Sequence, residues 1–167
     1  GYLINGTKRY ITNAPEAGLF TVMARTGAEG SGADGISAFL VPADTPGLAV
    51  GVPDRKMGQR GAHTADVVLT DCRVPAASLL GREGEGFRIA MRVLDKGRLH
   101  IAALCTAMAE RMLEDALRYA LDRKQFGQRI AEFQLVQAML ADSRTECLAA
   151  RSMVVETARR RDAGDVL

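Results

Sequence analysis

An α+β architecture in two consecutive halves is expected: part of a β-barrel or β-sandwich domain over residues 1–80, then two long antiparallel helices within 81–167. Three observations carry the expectation. Up to about Leu80, short runs of β-branched and aromatic residues are broken by Gly, Pro, Asp and Asn, which supply the backbone angles that turns need. After Gly86 the apolar residues recur at steps of three and four, as one face of a helix requires. A glycine, Gly127, then interrupts that period before it resumes.

In chain order, Tyr2-Leu3-Ile4 and Lys8-Arg9-Tyr10-Ile11 flank Asn5-Gly6, a dipeptide suited to a two-residue hairpin turn because both positions tolerate positive φ. An opening hairpin is therefore expected. Further strands are expected at Leu19–Ala24, Gly35–Val41 and Ala65–Thr70, with Gly27–Gly35 as a glycine-rich connection and Asp44-Thr45-Pro46-Gly47 as a turn. Phe87, Met91, Leu94, Ile101, Cys105, Met108, Met112, Ala116 and Tyr119 define a first helix to about Asp122, roughly 55 Å long at about 1.5 Å per residue. So long a helix needs neighbours to cover it, and Ala102, Ala103, Ala107 and Ala109 would let another helix approach closely. A second helix, with Phe133, Val136, Leu140, Cys147 and Val154 on one side, is expected from about Ala131 to Asp162.

The composition bounds the function loosely. Lys and Arg number 22 against 20 acidic residues, a net charge of +2 with the charges interspersed, so nothing calls for nucleic acid. No run of eighteen apolar residues is present, so no ordinary membrane-spanning helix is expected. Cys72, Cys105 and Cys147 lack the C-x-x-C spacing and cannot all pair, which points to a reducing compartment. His63 and His100 have no spaced partners of the kind a metal site needs, and no metal is expected. The chain opens without methionine inside a strand-like sequence, and is expected to be a fragment of a longer protein.

Three segments could carry chemistry. In Tyr10-Ile11-Thr12, alternation along a strand puts Tyr10 and Thr12 on one face, where a ring can pack beside a flat ligand and a hydroxyl can donate to it. A half-buried strand accounts for the same residues. In Arg123-Lys124-Gln125-Phe126-Gly127, at the end of the first helix, a guanidinium can fork two N–H donors onto a phosphate. Cations at a helix C-terminus, favoured by the macrodipole, explain it equally well. In Leu94-Asp95-Lys96-Gly97-Arg98, a glycine inside a helix costs about 1 kcal/mol relative to alanine, and something should offset that. Either close helix packing or the approach of a ligand to the bare backbone would do so.

Taken together these segments resemble the acyl-CoA dehydrogenase family. Tyr10-Ile11-Thr12 is similar to its Trp-Ile-Thr segment, with Tyr10 in place of the usual tryptophan; Arg123 and Phe126 match Arg-x-x-Phe-Gly; Leu94-Asp95-Lys96-Gly97-Arg98 matches Leu-Asp-x-Gly-Arg. Lys56-Met57-Gly58-Gln59-Arg60 resembles a Lys-x-Gly-x-Arg stretch, Asp71 to Pro75 an Asp-x-x-Val-Pro ending, and Leu79 to Phe87 the linker between domains. The resemblance spans the later middle β-domain and the first two helices of a C-terminal four-helix bundle. It implies FAD as cofactor, with Tyr10, Ile11 and Thr12 at the flavin ring. It further implies Arg123, Phe126 and Gln134 at the nucleotide part of a neighbouring subunit's FAD, within a homotetramer. Asp95, Lys96, Gly97 and Arg98 would line the acyl-CoA pocket, and an electron-transfer flavoprotein or similar acceptor would take the electrons. The location implied is the cytoplasm of a bacterium or the mitochondrial matrix of a eukaryote.

The implied reaction removes an α-proton to a carboxylate while a hydride leaves the β-carbon for flavin N5. No residue of this chain is assigned as the base. Most family members place it near the end of their chain, expected beyond Leu167, and a few place it where this sequence has Gly97; Glu110 and Glu114 read as solvated helix charges. Two other readings stand beside this one: an acyl-CoA oxidase or flavin monooxygenase of the same fold, and a non-enzymatic helical interaction module.

Overall fold

A computed structural model describes residues 1–165; the last two residues of the expected helical half lie outside them. The chain forms two compact units, Gly1–Arg92 and Val93–Leu167. Ten elements follow in order: β1 (Tyr2–Thr12), β2 (Leu19–Arg25), β3 (Ile36–Pro42), β4 (Leu48–Val50), β5 (Thr64–Val74), β6 (Leu79–Leu80), α1 (Gly86–Asp122), β7 (Lys124–Gln125), β8 (Gln128–Arg129) and α2 (Gln134–Asp162).

The first unit packs two antiparallel sheets, ordered β1-β5-β4 and β2-β3-β6, with no closed barrel. Alternate residues of the long strands turn inward, as a period of two dictates. Ile4, Phe20, Val22, Phe39, Val41, Val67, Leu69 and Val74 fill the core, and the Tyr2 ring meets Phe39 edge-on with centroids 4.8 Å apart. The expected strands at 19–24, 35–41 and 65–70 are present. The opening hairpin is not. Residues 2–12 form one continuous strand against β5, and Asn5-Gly6 sits at a register break: Ile4 faces Cys72 while Gly6 faces Leu69, so Thr70 and Asp71 together oppose Asn5. Asp71, at φ 48°, is the left-handed residue of this β-bulge, and the Asn5 amide holds it.

Glycines seat the start of α1 against β3. A Cβ on Gly86 would lie 2.5 Å from the carbonyl carbon of Ser37, and one on Gly84 2.5 Å from the Asp34 carbonyl oxygen. The Ser37 hydroxyl, fully buried, accepts the Gly84 N–H at 2.9 Å.

In the second unit α1 and α2 run antiparallel as expected. Glu110 pairs with Arg151 at 2.8 Å, and Arg161, further along α2, donates to the carbonyl of Asp95, earlier in α1, at 3.1 Å. The second helix starts at Gln134, three residues later than the apolar spacing suggests, because Ile130–Glu132 form a 3₁₀ turn and Phe133 is extended (ψ 126°). Ile101, Leu104, Met108, Met112, Met139 and Met153 remain more than half exposed, an apolar surface that a helix hydrophobic on several sides shows when it belongs inside a larger bundle. No helix among the described residues is long and apolar enough to cross a membrane.

Candidate functional site

The first group of expected residues lies at the end of β1. Lys8 pairs with Val67 and Ile11 with Ala65, so Arg9 and Tyr10 both oppose Asp66 in a second bulge, with Tyr10 at φ 57°. Bulges re-aim side chains where a ladder ends. Here the Tyr10 ring is 70% exposed, Ile11 packs onto the core, and Thr12 is exposed beside a buried Thr64. Tyr10 and Thr12 thus both face outward, while Ile11, partly buried, packs against the core. The Thr12 hydroxyl makes no hydrogen bond among the described residues. The strand end is fixed by the Asn13 N–H, which donates to the His63 carbonyl at 2.6 Å, and by a close contact of the His63 Nδ1 with the Glu16 carboxylate.

Around this end the stretch Lys56–Arg60, noted in the sequence as a motif, folds into a depression that the sequence did not foretell. Asp54, Arg55, Lys56, Arg60 and His63 line this depression of about 230 Å³. Lys56 Nζ donates to the Ala62 carbonyl, and Arg60 Nε to the Lys56 carbonyl at 3.3 Å, so the loop is folded on its own cations. A larger cleft, about 700 Å³, opens between β1 and β2 and is lined by Tyr2, Asn5, Lys8, Arg25, Phe39 and Glu83. None of the expected site residues lines it. The Tyr2 hydroxyl donates there to the Glu83 carboxylate, and that hydrogen bond raises the phenol pKa above its ordinary value.

The second group lies on α1. Asp95 and Arg98 form an ion pair at 3.3 Å, and Lys96 is exposed. A Cβ built on Gly97 meets nothing within 4 Å. Close packing against the rest of the described chain therefore does not explain this glycine.

The third group is the connection between the helices. Here the glycine does more than end α1: β7 and β8 form a two-residue hairpin whose tip, Phe126 (φ 52°) and Gly127 (φ 83°), has the two positive φ values of a type I′ turn. Phenylalanine is an uncommon occupant of that backbone region. Phe126 is 93% exposed, and its ring stands edge-to-face with Phe133, centroids 6.3 Å apart. Arg123, immediately after α1, has an exposed guanidinium with no hydrogen bond or ion pair among the described residues. Gln134 is the exposed first residue of α2. Arg98 and Arg123, 25 residues apart, are separated by roughly 37 Å along the helix direction at about 1.5 Å per residue. The two groups on the helical unit therefore lie far apart within one chain.

A two-sheet β-domain with an outward Tyr-x-Thr strand end, followed by long helices bearing an exposed cation and aromatic at their joint, defines a recognisable class of two-part chain. Residues 1–72 match the acyl-CoA dehydrogenase middle domain and residues 84–167 the C-terminal domain of the same proteins. The chain belongs to the acyl-CoA dehydrogenase family. It is 48% identical over 161 residues to the probable acyl-CoA dehydrogenase YngJ of Bacillus subtilis, covering 96% of this chain and 42% of that protein. It superposes on butyryl-CoA dehydrogenase from Megasphaera elsdenii with a TM-score of 0.93 at 39% identity, covering 99% of this chain and 43% of that one. The FAD complex of PigA gives a TM-score of 0.93 at 34% identity, with 99% and 43% covered. The chain thus spans less than half the length of the proteins it matches.

Proposed function

We propose that the protein containing this chain is an FAD-dependent dehydrogenase that introduces an α,β double bond into an acyl-CoA thioester. The observation that carries the reading is the strand end at Tyr10–Thr12, where a bulge turns an aromatic ring and an unpartnered hydroxyl outward together. The residues fit a flavin nucleotide in kind: a ring for stacking, a hydroxyl donor, a free guanidinium at Arg123 for a pyrophosphate, and an uncovered Phe126 for an adenosine.

In this reading Tyr10 packs beside the isoalloxazine and the Thr12 hydroxyl donates to a ring acceptor, with Ile11 locking both onto the core. Arg123, Phe126 and Gln134 hold the nucleotide part of a neighbouring subunit's cofactor, which requires the homotetramer. Asp95, Lys96, Gly97 and Arg98 border the acyl-CoA, the open space over Gly97 leaving room for it. When bound, FAD supplies the acceptor for the hydride leaving the β-carbon as the α-proton passes to a carboxylate. Glu110 is tied to Arg151 and four-fifths covered, so it does not serve as that carboxylate; the base comes from outside residues 1–167. An electron-transfer flavoprotein is the acceptor this reading favours.

The test is anaerobic mixing of the purified full-length protein with butyryl-CoA. A yellow protein that bleaches at 450 nm and forms crotonyl-CoA is expected. A colourless protein, or a flavoprotein that no acyl-CoA of any chain length bleaches, would overturn the proposal, and rapid reoxidation by air would redirect it to an oxidase.

A further inference from the structure

The bulge at the end of β1 also gathers three side chains that the assignment above leaves unused in part. Arg9 and Tyr10 both oppose Asp66. The Arg9 guanidinium carbon lies 5.3 Å from the centroid of the Tyr10 ring, within range of a cation–π contact. Arg9 Nη1 is 3.5 Å from Asp66 Oδ2. The other carboxylate oxygen, Oδ1, is buried and has no hydrogen-bond partner among the described residues. A buried acceptor left unpaired is costly, so Asp66 has reason to keep its cation close.

We propose that Arg9, clamped by Asp66, is a positioning residue for the flavin: it braces the Tyr10 ring and holds a positive charge behind it, making the flavin easier to reduce. This rests on the placement of the flavin against Tyr10 and Thr12 put forward above. The physical step is short. Reduction adds electron density to the ring system, and a cation held near it favours the more negative state; the Arg9 side chain is 63% exposed and Asp66 offsets part of its field, so the expected effect is modest. Tyrosine is a smaller platform than tryptophan, and a guanidinium stacked on one face restricts its motion.

The experiment compares the FAD-loaded full-length protein with its Arg9→Met, Arg9→Gln and Arg9→Lys variants by redox-dye equilibration. For Arg9→Met and Arg9→Gln the equilibrium constant for two-electron reduction is expected to fall about three- to tenfold, a shift of about 14–30 mV to lower potential. Arg9→Lys, which keeps the charge, should recover most of it, a rescue that a purely structural role would not give. Flavin-bearing variants with unchanged potentials, or an Arg9→Lys protein as low as Arg9→Met, would overturn this inference while leaving the dehydrogenase assignment intact. A wild-type protein without flavin would overturn the assignment itself and this inference with it.

Discussion

Asn5 and Asp71 hold each other across the first bulge: the Asp71 N–H donates to Asn5 Oδ1 at 2.7 Å, and Asn5 Nδ2 donates to Asp71 Oδ1 at 3.2 Å. One side chain thereby satisfies the backbone of a residue at φ 48° and fixes the orientation of its carboxylate. Asn5→Ala removes both bonds and is expected to destabilise the β unit by about 1–2 kcal/mol. Asp71→Gly relieves the left-handed backbone while keeping the N–H, and should cost less than Asn5→Ala. Urea denaturation followed by circular dichroism ranks the two variants.

Gly86→Ala should be harsher than its single methyl suggests. The new Cβ would stand 2.5 Å from the Ser37 carbonyl carbon and 2.8 Å from the Ala38 nitrogen, both backbone atoms with no side-chain freedom to yield. Overpacking of this kind costs about 1–3 kcal/mol. Gly97→Ala is the control: with nothing within 4 Å, and a helix that favours alanine over glycine, it should raise stability by up to about 1 kcal/mol. Thermal unfolding of the pair distinguishes them by sign.

The Cys72 thiol is fully buried, and burial pushes its pKa up. An unfolded thiol ionises near about 8.5. The folded state therefore favours the protonated form; that contribution is whole below the unfolded value and is lost as pH rises through it toward the folded one. Between pH 7 and 10 the wild type should lose more stability than Cys72→Ala, and equal losses would contradict the account. The comparison with alanine cancels the other groups that titrate in this range.

Among the described residues the Arg123 guanidinium has no hydrogen-bond or ion-pair partner, so removing it should spare the fold and strike the cofactor. In the full-length protein, Arg123→Ala is expected to lose most of its FAD during gel filtration, with a melting temperature of the apoprotein within about 2 °C of wild type. Arg123→Lys should retain less than half of the wild-type content, because an ammonium cannot fork onto two phosphate oxygens. Absorbance at 450 nm relative to 280 nm reads out both.

What could be seen in the sequence was whatever repeats locally. The strands read at 19–24, 35–41 and 65–70, and the whole of α1, announce themselves by the period of their apolar residues. Asn5-Gly6 misled because its dipeptide favours positive φ in a turn or at a bulge alike, and the partner that decides between them, Asp71, lies 66 residues away. The start of α2 slid because a 3₁₀ turn over 130–132 shares the helical spacing of apolar residues. The hairpin at 124–129 went unseen since no rule assigns phenylalanine to a left-handed tip. At the flavin segment, alternation put Tyr10 and Thr12 on one face in the sequence, but the bulge opposite Asp66 that sets Tyr10 at φ 57° was not legible, since only pairing with β5 creates it.

The Phe126 tip carries a wider implication. A large apolar side chain set almost wholly in water, on backbone angles it disfavours, is a local conflict that folding of this chain does not resolve. Such a spot is cheaply improved by mutation: Phe126→Asn would suit both the turn and the solvent. A design campaign that scored stability alone would therefore replace Phe126 first, and with it a side chain proposed above to meet the nucleotide.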